Sequence, residues 1–149
     1  MLASAGAEAA EPFALAGHTL GLPYDPVVRD PRYDCDSLAG CFLYSVCQYK
    51  TSAGERLAGA SVGRISLYFQ GERLSGIEGE FPAEQFDAVV SELSSRYGPG
   101  VEQPGKSAAG GALAWRQGSQ VLRIERYARP GRSSAIVAER SFIGELLDR

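Results

Sequence analysis

The sequence predicts an α+β domain: an antiparallel sheet of about five to six strands, arranged as two three-stranded meanders, with one main helix packed on one face. Three observations carry this. Ile65, Leu67 and Phe69 alternate with Ser66, Tyr68 and Gln70, the period-two pattern of a half-buried strand. Phe86, Val89, Val90, Leu93 and Tyr97 recur at steps of three and four, the stripe of an amphipathic helix. Strand-like runs then resume over 112–116, 120–127 and 135–142, separated by turns at Gln117-Gly118-Ser119 and Arg129-Pro130-Gly131-Arg132.

The chain begins with a run of small residues, Met1 to Pro12, in which Ala5, Ala7 and Ala9 fit the A-x-A pattern before a secretory cleavage site. Residues 1–12 are therefore expected to be a signal-peptide remnant or flexible leader, and 13–149 a single domain. Pro23, Pro26 and Pro31 punctuate the next stretch and allow no more than a turn of helix, capped by Asp25 with Pro26 in the first turn. Residues 42–50 are rich in aromatic and β-branched side chains and are expected to form the first strand. Thr51 to Gly63 is a small-residue loop. The strand at 65–70 turns through Gln70-Gly71-Glu72-Arg73 into a return strand, Leu74 to Phe81, and the parity change between Leu74 and Ile77 marks a bulge. Pro82 opens the helix and Gly98-Pro99 ends it. Residues 98–111, rich in Gly, Pro, Ser and Ala, are expected to be a loop. Ile136, Ala138 and Phe142 are assigned to the core side of the last strand, and a final helical turn covers Phe142 to Leu147.

Cys35, Cys41 and Cys47 cluster within one segment. On an extended strand Cys41 and Cys47 stand roughly 20 Å apart, beyond the reach of a disulfide. Cys35 is the common partner, bridged either to Cys41, the slightly favoured pairing, or to Cys47. Such a bridge points to an oxidising compartment, periplasmic or secreted. The even spacing matches no C-x2-4-C zinc pair, so no metal and no cofactor is expected.

With 15 basic and 18 acidic residues the net charge of −3 gives no general attraction to nucleic acid. Neither nucleic-acid binding nor a membrane span is expected. The charge is unevenly spread: residues 1–97 hold 13 acidic and 7 basic side chains, and 98–149 hold 5 and 8. Arg116, Arg123 and Arg126 belong to the basic part and are candidate binding residues, because Arg grips carboxylates and is enriched at interfaces. Tyr44 and Tyr68, if outward on neighbouring strands, would add an aromatic patch. His18 is the only histidine, and neither G-x-S-x-G nor H-E-x-x-H occurs, so no catalytic residue is assigned.

The features Cys41 to Cys47, Ile65 to Ile77 and Arg96-Tyr97-Gly98 resemble those of small exported proteobacterial α+β domains of unknown function. That resemblance implies an envelope location and carries over no catalytic residue. The order of elements is also similar to the β-lactamase-inhibitor-like fold, which implies architecture alone. The expected function is an exported, non-enzymatic binding domain for an envelope protein, in its narrower form an inhibitor of a secreted or lytic enzyme. The alternative is a small hydrolase or ligand-binding enzyme using His18 with the carboxylates of Asp25 to Asp36. Oligomeric state is left open.

Overall fold

In the computed structural model, which describes residues 12–36, 44–50, 55–105 and 111–147, the polypeptide starts with a two-residue hairpin, Ala14–Leu15 (β1) and His18–Thr19 (β2). A short helix, Tyr24–Val28 (α1), leads to Tyr33–Asp36 (β3) and Tyr44–Tyr49 (β4). A second small hairpin, Arg56–Leu57 (β5) with Ala60–Ser61 (β6), precedes the long pair Gly63–Gln70 (β7) and Arg73–Pro82 (β8). A 3-10 turn at Ala83–Gln85 runs into Phe86–Tyr97 (α2). The second half is Val101–Pro104 (β9), Gly111–Gln117 (β10), Gln120–Arg129 (β11), Arg132–Glu139 (β12) and a last helix, Ile143–Leu147 (α3).

Eight strands form one antiparallel sheet in the order β3-β4-β7-β8-β12-β11-β10-β9. This corrects the expectation of five to six strands and one main helix. Each meander has four strands, because β3 and β9 add an outer strand at either edge. Each was hidden for its own reason. Edge strands bury little, so β9 shows no alternation of apolar residues, and β3 follows directly on the proline-punctuated segment. The two halves join where β8 pairs with β12.

Pairing register builds the first face of the sheet. Cys35, Cys47, Leu67, Ile77, Val137, Leu122 and Trp115 stand directly opposite one another, strand by strand, in a single row. From Cys47 to Trp115 every member is buried. Phe86, Val89 and Leu93 of α2 enter the same core, with Phe13 and Leu15 of the N-terminal hairpin. Trp115 also fixes the end of α2, since its Nε1 donates to the Gly98 carbonyl at 2.7 Å. A Cβ on Gly100 would lie 2.9 Å from the indole, so the chain leaving the helix passes hard against the ring.

The row also decides the disulfide. Because 33–36 is a strand rather than a loop, Cys35 faces Cys47 across an antiparallel pair, with Cα atoms 4.0 Å apart, and the two are bonded. The favoured Cys35–Cys41 pairing is thereby corrected; Cys41 itself lies outside the described residues. The 51–63 segment is also more than a loop: Leu57, Ala60 and Val62 are buried in the main core.

The last strand corrects a second expectation. Ala135 and Val137, not Ile136 and Ala138, face the main core; Ile136 and Ala138 belong to a separate cluster on the second face with Tyr68, Phe142 and Leu146. As the central strand of the sheet, β12 is covered on both sides and carries no alternation to read. The floor under α3 is made of small residues. Gly76 stands opposite Ala138 and Tyr68, and a Cβ on Gly76 would fall 2.8 Å from Leu146 Cδ1 and 3.1 Å from Phe142 Cε1.

Two predictions follow from this packing. Replacing Gly76 by Val overfills the seat of α3 and costs about 1–3 kcal/mol, read as a lower urea midpoint. Replacing Cys35 and Cys47 together by Ala lowers unfolding stability by about 2–4 kcal/mol, and a reductant then has little further effect; an unchanged urea midpoint would show that the bridge adds nothing to the sheet.

Candidate functional site: a polar trough on the second face

The second face is covered by α3 at one end and by charged side chains elsewhere. Strand alternation places Gln48 on β4, Ser66 on β7 and Glu78 on β8 directly opposite one another. Two residues further along β8, Glu80 stands opposite Ser134 of β12, which stands opposite Glu125 of β11. Together these strands floor a hollow of about 470 Å³ lined by Gln48, Arg64, Ser66, Tyr68, Glu78 and Arg129 among others. A smaller hollow of about 180 Å³ adjoins it, sharing Glu78, Glu80 and Arg129 and bounded by Leu146 and Leu147 of α3.

Its electrostatics are mixed. Arg129 clamps Glu80 through two hydrogen bonds, Nε to Oε1 at 2.8 Å and Nη2 to Oε2 at 2.7 Å, and the carboxylate holds the guanidinium above its ordinary pKa. The Tyr68 hydroxyl donates to Glu78 at 3.4 Å. Toward the far edge lies a closed version of the same chemistry. Arg123 and Glu125, 5% and 2% exposed, form an ion pair at 2.8 Å, and Arg123 also donates to the Pro104 carbonyl and to Gln103 Oε1. Those extra bonds are what a buried guanidinium requires.

The sequence candidates scatter over this framework. Tyr44 lies on β4 opposite Gln70, and its side chain is outside the described residues. Tyr68 is 2% exposed and packs beside Phe142, so it supports α3 rather than an outward aromatic patch. Arg116 is exposed on β10; Arg123 is buried in its ion pair. Arg126 turns to the opposite face, where it pairs with Asp87 of α2 and lies 4.4 Å over the Phe86 ring. The three arginines therefore form no common basic surface. Arg126 and Arg129 instead reach back to carboxylates of the acidic half. Pairing across the two halves offsets the charge asymmetry seen along the chain.

His18 sits elsewhere. It is half-buried on β2 and hydrogen-bonded through Nε2 to the Tyr33 hydroxyl. Burial lowers its pKa, with Glu55 acting in the opposite sense, and burial pushes Tyr33 up to about 12. Of the carboxylates between Asp25 and Asp36, Asp30 acts on its pKa, more weakly than Glu55 and Arg32. Asp25 pairs with Arg29, Asp30 is gripped by Arg32 and held down to about 2, and the exposed Asp34 alternates away from Tyr33. Among the described residues no group of three or more His, Cys, Asp or Glu is placed to hold a metal ion.

Comparison with family models, curated proteins and solved structures finds no match. The trough is accordingly interpreted from its own residues. In the sequence Ser66 and Tyr68 stood out only as the positions alternating with Ile65, Leu67 and Phe69, and Glu78 and Glu80 carried no signal of their own. What brings them beside Ser134 and Glu125 is the β8 to β12 pairing, a contact between halves that no local pattern encodes.

The His18 contact predicts a pH effect of definite sign. A histidine whose pKa falls on folding contributes stability above its unfolded value of 6.5, and that contribution is lost as pH drops through the folded value. Melting midpoints of the parent chain should fall on acidification below pH 6.5 by more than those of His18→Gln. Parallel curves for the two proteins would exclude His18 as the titrating group.

Proposed function

We propose that this chain is a disulfide-stapled, extracytoplasmic binding domain without catalysis of its own, and that it holds an extended segment of a partner protein in the trough of its second face. The observation that carries the reading is the division of that face. One end is sealed by Phe142 and Leu146 on small residues, while the remainder is a hollow of about 470 Å³ lined by charged and hydroxyl side chains. A hollow of this size, open and polar, suits a peptide segment with several hydrogen-bonding groups better than an apolar small molecule.

The location rests on supporting features. The Cys35–Cys47 bridge persists in oxidising compartments, and among the described residues no helix is long and apolar enough to cross a membrane. An inhibitor of a secreted or lytic enzyme would use a loop such as 51–63 or 98–111 as a plug. Leu57, Ala60 and Val62 are committed to the core, and 101–104 is sheet-bound as β9, which favours the trough over these segments as the binding element.

Photo-crosslinking in the native host tests the reading. A benzophenone side chain in place of Ser66, on the trough floor, should capture one discrete protein partner, while the same group in place of Ser95, exposed on α2, should not. The absence of an adduct from position 66, or the same adduct from both positions, would refute trough binding.

A further inference from the structure

Arg64 stands out on the rim of the trough for its backbone and its charge together. Its φ is +51°, in the left-handed region that disfavours any side chain with a Cβ. Among the described residues three other non-glycine residues share this property. Ala16 and Ala58 each precede a glycine in a tight hairpin turn, where the turn itself demands it, and Tyr127 lies where β11 slips register. Arg64 lies inside a strand. Register between β7 and β8 shifts between Gly63 and Ser66, so that Arg64 and Ile65 together face Gly79. The bulge sends Ile65, 2% exposed, into the core and leaves Arg64 exposed beside Ser66 and Glu78. Strain of this kind persists where the surrounding structure imposes it, and it gathers at binding sites.

The charge is equally specific. The second guanidinium of the hollow, Arg129, already has both oxygens of Glu80. Arg64 has no carboxylate within ion-pair distance among the described residues, where six other arginines have one. It presents a planar fork of donors to the hollow, and the group that matches a guanidinium fork with both oxygens is a carboxylate. Phosphate also fits the fork, but among the unmodified side chains of a peptide segment only Asp and Glu present two such anionic oxygens.

Building on the trough as the binding face, we propose that Arg64 is its anchor for an acidic side chain, Asp or Glu, of the partner segment, and that the bulge exists to hold that guanidinium over the hollow. The test follows the arginine Nε–Hε signals by NMR at fixed ionic strength. N-acetyl-glutamate amide should shift the Arg64 signal saturably, N-acetyl-glutamine amide should leave it unmoved, and inorganic phosphate should act more weakly than the glutamate probe. Glutamate should also shift the Ser66 backbone amide saturably, and Arg64→Gln, whose loss of the Nε–Hε signal assigns it, should abolish that amide response. A shift that does not saturate, that appears equally at the exposed Arg116 and Arg132, or that is stronger with phosphate, overturns the proposal.

A second variant separates strain from fold. Arg64→Gly should melt no lower than the parent chain while losing the response to glutamate, whereas a lower midpoint would mean that the bulge is a structural requirement and not a device for the guanidinium. The position-66 crosslink distinguishes the two levels of the argument. An adduct that persists unchanged in Arg64→Gln leaves the trough as the binding face and removes Arg64 as its anchor, and a missing adduct in the parent removes the trough itself.

Discussion

The structure depends on one row of side chains. Cys35, Cys47, Leu67, Ile77, Val137, Leu122 and Trp115 face each other across seven strands, and the main helix covers the core they belong to. Because side chains alternate faces with period two, a slip of one residue in any pairing would carry that strand's apolar set to the wet face and the trough residues into the core. The row is pinned at one end by a covalent bond between Cys35 and Cys47 and at the other by Trp115, whose indole N–H is tied to the end of α2. Between them, burial of each aliphatic member contributes about 1.5–3 kcal/mol, and none can leave the row alone.

The same register explains how the halves are held together. The sequence divides into an acidic front and a basic back, which suggests two surfaces of opposite sign. In the folded chain the back's arginines cross the joint: Arg126 reaches Asp87 on the helix side and Arg129 reaches Glu80 on the trough side, one on each face of the sheet. Exposed pairs of this sort stabilise little by themselves. Their value lies in direction, since Arg129 fixes Glu80 in the trough and Arg126 lies over Phe86 at the start of α2.

The long helix and the 65–69 strand were legible because Phe86, Val89 and Leu93 of the one, and Ile65, Leu67 and Phe69 of the other, all enter one core, which writes a period into the sequence. What failed did so where that condition fails. β9 is an edge with almost nothing buried, β12 is a central strand buried on both faces, and β3 carries Asp34 and Asp36 after a proline-rich approach. Placing the first strand at 42–50 also misdirected the disulfide, since only a strand at 33–36 sets Cys35 opposite Cys47. The candidate site was legible even less. Each polar residue of the trough looks like an ordinary solvated position, and its membership follows from which strands are neighbours. Tyr68 and Arg123 were singled out for exposure that their partners remove.

Among the described residues the second face is closed by α3 at one end and carries charged side chains along the rest, and what lies beneath accounts for the difference. α3 rests on Gly76 and Ala138, where nothing polar has to be buried and no Cβ at position 76 intervenes. Two residues along β8 the floor becomes Glu78, and two more along it becomes Glu80. Continuing the cover over them would strip water from carboxylates, a cost that attraction to a nearby cation repays only when every remaining donor and acceptor is also matched. Arg123 and Glu125 show what such matching takes: the ion pair, a side-chain amide and a backbone carbonyl, all on one guanidinium. Arg64 has no such set of partners among the described residues, so burying it under the chain's own cover would leave its donors unmet. Arg64 is thus a charge of the trough for which the described residues supply no carboxylate, while Glu78 and Glu80 have Tyr68 and Arg129. The carboxylate proposed for Arg64 would supply that missing partner and so lower the cost of covering it.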